Sequence, residues 1–125
     1  MPFAAITYDI KPGHEDEIAE IFADFQRVAS GKVDAPGQED TRILSTALFI
    51  RDGLMVRMIE YEGDLDAVAR RMFSHPAVRR VEERLAGYVN KPRDTSTEEG
   101  FVRTFRSSLL RSISQLSVRD TAVAR

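Results

Sequence analysis

The sequence predicts an α+β fold, one antiparallel sheet with helices packed on one of its faces. Three features carry that expectation. Apolar spacing changes from strand-like to a three- and four-residue helical step and back again. Two adjacent β-rich runs are joined by Asp52-Gly53, a good two-residue hairpin turn. The resulting element order, β-α-β-β-α-(α)-β, is the ferredoxin-like order.

The first strand is "FAAITYDI" (3–10), where Phe3, Ile6, Tyr8 and Ile10 suit β-structure and "KPG" ends it. From His14 the period changes. Ile18, Ile21, Phe22, Phe25, Val28 and Ala29 form the apolar stripe of an amphipathic helix. Glu15, Asp16 and Glu17 crowd its first turn, where the helix dipole favours anions, and Gly31 is a natural stop. "KVDAPGQEDT" (32–41) reads as a loop.

"RILSTALFI" (42–50) and "LMVRMIEYE" (54–62) form the hairpin, and its short turn fixes the register. On one face Arg51 pairs with Leu54, Phe49 with Val56, Ala47 with Met58 and Ser45 with Glu60. On the other, Ile50 pairs with Met55, Leu48 with Arg57, Thr46 with Ile59 and Leu44 with Tyr61. Both faces are mainly apolar, whereas an antiparallel hairpin usually keeps one face wet. One face is therefore expected to pack on helices. The other is expected to pack on a second sheet, which predicts a homodimer with sheets face to face.

Asp64 is a good N-cap for a second helix with the stripe Leu65, Val68, Ala69, Met72 and Phe73. "SHP" (74–76) interrupts it, and Pro76 opens a further helix carrying Val78, Val81 and Leu85. Ser96-x-x-Glu99 is a capping-box pattern ahead of Phe101, Val102 and Phe105. "LLRSISQLSV" (109–118) fits a helical extension or a final strand about equally. The domain is expected to span 1–118, with 119–125 a frayed tail.

Composition narrows the function. A chain of 125 residues, 42% hydrophobic and 30% charged, suits one soluble domain. Its net charge of −2 gives no general electrostatic grip on nucleic acid. With no cysteine, disulfides, thiolate chemistry and cysteine-held metals are excluded. The two histidines are far apart in sequence, so no metal site is expected, although a carboxylate-held cation stays open. No apolar run is long enough for a membrane span and no signal-peptide pattern is present, so a cytoplasmic location is expected.

The segments "AITYDIKPGHEDEIAEIF", "EYEGDLDAVAR", "HPAVRRVEERL" and "NKPRD" together resemble the SchA/CurD-like family. The resemblance covers most of the chain. It implies a place in actinobacterial aromatic (type II) polyketide, spore-pigment or antibiotic biosynthesis, and an architecture similar to dimeric α+β barrel proteins. That group includes monooxygenases and polyketide cyclases. Some members of the family carry two copies of the domain, and this chain would be one. The implied activity is cyclisation or cofactor-independent oxygenation of a polyketide or polyphenol. The alternative is a non-catalytic binding protein that assists a separate monooxygenase or cyclase. An aromatic polyketide intermediate and a second copy of the chain are the implied partners, with a partner enzyme or an acyl carrier protein as further candidates. No G-x-G-x-x-G follows a strand, so a dinucleotide site is unsupported and no cofactor is expected. The absence of Trp rules out any mechanism needing an indole.

The candidate catalytic residues are Arg57, Glu60 and His75. Arg57 lies among Leu48, Ile50, Met55 and Ile59, and a buried arginine needs a partner. It can hold a phenolate, enolate or carboxylate, or it can be a structural ion pair or reach the sheet edge. Glu60, beside Ser45 and Met58, can be a general base or one half of a salt bridge. The two charges face opposite ways and are not expected to act on one substrate atom in one subunit. His75 has the residue type for acid–base work and sits at a helix break, where capping is the competing role. His14, in an acidic turn, is expected to be exposed. Tyr8, Tyr61, Phe22, Phe49, Met58 and Met72 are the candidate substrate-binding residues, and core packing accounts for them equally well. Arg70, Arg71 and the arginines of "VRRVEER" read as a solvated face.

Overall fold

The computed structural model describes residues 2–29 and 42–118. The expected loop over 32–41 and the expected tail over 119–125 lie outside the described residues, as do the Gly31 stop and the side chains of Phe25, Val28 and Ala29. The element order is β1 (Phe3–Asp9), α1 (Glu15–Ala29), β2 (Arg42–Arg51), β3 (Leu54–Glu62), α2 (Leu65–Ser74), α3 (Pro76–Leu85), a short 3₁₀ turn (Ala86–Tyr88) and α4 (Glu98–Ser107). The sheet is antiparallel with strand order β1-β3-β2.

The hairpin register follows from its turn. Asp52 takes a positive φ of 50°, which aspartate tolerates better than most residues. Every expected pair from Arg51–Leu54 to Ser45–Glu60 forms. The expectation fails at Leu44. A β-bulge between Ile43 and Ser45 makes Ile43, not Leu44, the partner of Tyr61. Leu44 is the extra residue and is left exposed, because two residues of one strand oppose one of the other.

β1 adds to the other side of β3, setting Tyr8 opposite Met55, Ile6 opposite Arg57 and Ala4 opposite Ile59. These six side chains are buried and face the helices. Ile18, Ile21 and Phe22 of α1, Val68 and Met72 of α2, Val78, Val81 and Leu85 of α3, and Phe101 and Phe105 of α4 complete one core. Burying an aliphatic side chain such as Ile59 stabilises the fold by about 1.5–3 kcal/mol. Two surface ion pairs tie the helices together: Arg84 Nη1 donates to Asp24 Oδ2 at 2.9 Å, and Arg106 Nε donates to Asp66 Oδ1 at 2.8 Å.

The helix boundaries have local causes. The Asp64 carboxylate accepts from the Ala67 N–H at 3.0 Å. His75 is extended, as the residue before a proline should be, and both ends α2 and starts α3. The start of α4 departs from the sequence reading. Thr97, not Ser96, is the N-cap, and its hydroxyl accepts from the Gly100 N–H at 3.1 Å. Either hydroxyl can cap; the path of the preceding loop selects the second.

Over residues 109–117 the ambiguous segment is neither helix nor regular strand. It leaves α4 and runs beside the free edge of β1, with a single bridge between Leu109 and Ile6. The Thr7 N–H donates to the Ser108 carbonyl at 2.9 Å, and the Leu110 N–H to the Ala5 carbonyl at 2.8 Å. Farther along, the Gln115 amide replaces the backbone. Its Oε1 accepts from the Phe3 N–H at 2.7 Å, and its Nε2 donates to the Phe3 carbonyl at 2.8 Å. The segment thus takes the position of a fourth strand beside β1, and the ferredoxin-like arrangement holds.

The outer face of the sheet exposes large apolar side chains among the described residues. Phe49 is 57% exposed and Leu54 50%. Along the C-terminal segment Ile113 and Leu116 are also exposed, at 80% and 88%. No helix among the described residues is long and apolar enough to cross a membrane.

Candidate functional site

Arg57 is the centre of the site. β3 directs it to the helix face between Ile6 and Leu48, where it is only 8% exposed. Its guanidinium carbon lies 5.4 Å from the centroid of the Phe22 ring on α1, a cation–π contact. Among the described residues its Nε–H finds no hydrogen-bond acceptor, while the residue has other interactions.

Two cavities meet at this side chain. The larger is a cleft of about 450 Å³ between α1 and the hairpin, lined by Ile18, Phe22, Leu48, Phe49, Ile50 and Met55 among others, with Arg57 at its floor. That volume falls in the range of small-molecule sites. Arg57 is the sole ionisable side chain among the described residues that line it. The cleft therefore suits a flat apolar molecule with one anionic or enolic oxygen. Arginine stays charged across the working pH range, so Arg57 can stabilise an oxyanion but cannot act as a base.

On the other side of Arg57 lies a chamber of about 10 Å³, enough for roughly one water. Tyr8, Arg57, Glu82 and Arg93 converge there, with Met72, Val81, Phe101 and Phe105 among the apolar walls. Arg93 stacks on Tyr8 with its guanidinium carbon 4.4 Å from the ring centroid. Arg93 Nε donates to Glu82 Oε1 at 3.2 Å, and both side chains are largely shielded from solvent. Burial pushes the Tyr8 hydroxyl above its ordinary value of 10.0; the positive charge of Arg57 opposes this, Glu82 adds to it and Arg93 opposes it.

The expected site residues divide between several places. Arg57, Phe22 and Phe49 line the cleft, while Tyr8 and Met72 line the inner chamber. Tyr61 is half-buried against the core. Met58 and Glu60 lie on the outer face. Glu60 is 9% exposed and accepts from the Ser45 hydroxyl at 2.9 Å. His75 lines neither cavity; its Nδ1 accepts from the Ala77 N–H at 3.1 Å and caps α3. His14 faces Glu17 at 3.0 Å near the surface. Among the described residues no group of three or more His, Asp or Glu side chains is placed to hold a metal ion.

Glu82 and Arg93 were not legible as site residues. The solvated reading of "VRRVEER" leaves out one spacing. Glu82 stands four residues after Val78 and three before Leu85, on the buried stripe of α3. A carboxylate at a stripe position is a signal for an internal polar group. Arg93 has no such signal, because it lies in an irregular loop.

The fold and the cleft together define the class: an α+β domain with a ferredoxin-like antiparallel sheet and an arginine-lined cleft between helix and hairpin. The chain belongs to the SchA/CurD-like domain family, whose profile matches residues 1–118. It is similar to a 42.8 kDa protein of the whiE locus of Streptomyces coelicolor, 31% identical over 97% of this chain and 29% of that protein. It also resembles polyketide synthase CurD of Streptomyces cyaneus, 36% identical over 76% of this chain and 24% of that protein. Protein SchA of Streptomyces halstedii is 36% identical over 72% of this chain and 22% of its own length. The chain spans about a quarter of these relatives. In structure it resembles tetracenomycin F2 cyclase of Streptomyces glaucescens, described as a type II polyketide cyclase. The TM-score is 0.61 at 19% identity, over 94% of this chain and 99% of that one, which is a likeness of fold.

Proposed function

We propose that this domain binds an aromatic polyketide intermediate or polycyclic phenol in the cleft between α1 and the hairpin. Arg57 takes its enolate or phenolate oxygen. The observation that carries this reading is a buried arginine lining a cleft of about 450 Å³ whose other described lining residues are uncharged and mostly apolar. The names of the relatives and the fold of the cyclase support a role in type II polyketide biosynthesis. Cyclisation through an enolate and cofactor-independent oxygenation of an electron-rich ring both pass through an oxyanion that a fixed cation stabilises.

A second copy of the chain covers the outer sheet face in this reading. Phe49, Leu54 and Met58 sit together on it, and sheet-to-sheet packing would remove them from water. The alternative is a domain that binds the intermediate and assists a separate monooxygenase or cyclase. It is favoured by the cleft itself, whose described lining offers a cation and no base.

The test is titration of the protein with 1,8-dihydroxyanthraquinone, followed by the absorbance change on phenol ionisation. The wild type is expected to bind and to favour the phenolate, and Arg57→Met to weaken binding about tenfold or more. Equal binding and ionisation by a folded Arg57→Met protein would remove Arg57 from the site. Incubation with a late-stage polyketide intermediate in air, with and without the cluster's oxygenase, separates enzyme from helper. Turnover by the domain alone marks the enzyme; turnover only in the mixture marks the helper.

A further inference from the structure

Two polar side chains line the cleft among its described residues: Arg57 of β3 and Thr46 of β2. The other described lining residues are alanine, leucine, isoleucine, phenylalanine and methionine. The register places the two polar groups together. Thr46 pairs with Ile59 and Leu48 with Arg57, so Thr46 is the diagonal neighbour of Arg57 across the two strands. Residues two apart on a strand share a face, which puts Thr46 on the helix face with Leu48, Arg57 and the buried Ile59. Diagonal neighbours lie about 7–8 Å apart, within reach of long side chains. One fused-ring molecule can therefore meet both groups at once. Ala19 and Ala23 of α1, one turn apart, line the same cleft and are exposed. Their short side chains leave room in front of Thr46, which is exposed although its partner Ile59 is buried.

An ordinary structural role accounts for part of this. A branched side chain suits extended backbone, and threonine is common on strands. Valine would serve the strand in the same way, so strand formation does not account for the hydroxyl. Next to it on β2, the Ser45 hydroxyl is engaged, donating to Glu60 on the outer face. The Thr46 hydroxyl makes no hydrogen bond among the described residues and lines the cleft.

We propose that Thr46 is a specificity-determining residue of the cleft: its hydroxyl hydrogen-bonds a second, neutral oxygen of the same ligand whose anionic oxygen Arg57 holds. The proposal rests on the reading of the cleft as a phenol or enol site, and it narrows the ligand class. A molecule with a single oxygen satisfies Arg57 alone. A fused-ring molecule with oxygens on alternate carbons satisfies both groups. The hydroxyl can donate to a carbonyl oxygen or accept from a second phenol, so either kind of oxygen serves. A ligand without the second oxygen places carbon against Thr46 and strips water from its hydroxyl with no replacement. The cleft thus reads the number and spacing of ligand oxygens, not only the presence of one.

Two probes that differ by one oxygen test this: 1-naphthol and 1,3-dihydroxynaphthalene, titrated into the protein under nitrogen and followed by calorimetry. Wild type is expected to bind the dihydroxy compound about three- to tenfold more tightly, the net effect of one hydrogen bond. Thr46→Val should erase that preference by weakening the dihydroxy compound alone, with 1-naphthol held at least as tightly as before. Thr46→Ser keeps a hydroxyl and should retain most of the preference. A merely structural role would move both probes together. Position 46 is exposed, so these variants should fold. Thr46→Ala should act as Thr46→Val does, and decides the matter if the valine protein does not fold. A wild type that binds both probes equally overturns the proposal. So does a Thr46→Val protein that keeps the preference, or that weakens both probes alike. Failure of the underlying reading shows differently: wild type then binds neither probe, or folded Arg57→Met binds both as tightly as wild type. Either result overturns the proposal as well.

Discussion

Arg57 and Glu60 stand three residues apart on one strand and are nearly equally buried, at 8% and 9% exposure. Their settings are opposite. Glu60 lies on the outer face beside its cross-strand neighbours Phe3 and Ser45, and the Ser45 hydroxyl donates to it at 2.9 Å. Arg57 lies on the helix face, where two cavities meet. The contrast teaches that burial alone does not mark a functional charge. What distinguishes Arg57 is that space for another molecule reaches it. One face of the sheet is organised around a cavity and the other around an apolar surface.

The largest test of that contrast is a matched pair of truncations on β3. Ile59→Ala, on the helix face, should cost about 2–5 kcal/mol in denaturant unfolding. Met58→Ala, its neighbour on the outer face, should cost a small fraction of that in the monomer. Similar losses at low protein concentration would break the division between a packed and an open face.

The next test separates function from stability on the helix face. Arg57→Met removes a buried charge together with its interactions in the chain, a change expected to cost up to about 3–5 kcal/mol. Phenol affinity is therefore compared on protein shown to be folded, and it should drop. Unchanged affinity in the folded variant would make Arg57 a structural residue.

On the outer face the readout is association. Leu54→Asp, at an outer-face residue that lines neither cavity, should shift sedimentation toward the monomer with little change in the unfolding of the monomer itself. A wild type that sediments as a strict monomer would remove the second copy altogether. Ser45→Ala takes the hydroxyl donor from Glu60 and should cost about 0.5–1.5 kcal/mol.

The smallest effect is at high pH. The Tyr8 hydroxyl is held above its ordinary value of 10.0, chiefly by burial. Below that value the group is neutral in both folded and unfolded chains, and its contribution to stability is complete. As pH rises past it the unfolded chain ionises first, so the contribution is lost between the ordinary value and the higher folded one. Tyr8→Phe should flatten this alkaline limb in pH-dependent unfolding, and an unchanged limb would assign it to other groups.

Much of the fold was legible because it is fixed by local chemistry. Asp52-Gly53 set the hairpin register, so the opposite orientations of Arg57 and Glu60 could be read without a structure. Pro76 and Asp64 placed helix boundaries, since each acts on its own backbone. The site was legible only in part. Arg57 stood out as a charge among apolar strand neighbours, and Glu82 left a trace in the stripe of α3. Arg93 left none, because nothing local says that a loop arginine folds back over Tyr8.

The sequence alone therefore determined the element order, the pairing of β2 with β3 and which charges share a face. These depend on backbone preferences and side-chain alternation over a few residues. Tertiary structure decided the bulge at Leu44, the single-bridge position of the C-terminal segment and the convergence of Tyr8, Arg57, Glu82 and Arg93. Those features depend on packing between segments far apart in the chain, and a cavity exists only where several such segments fail to fill the space between them.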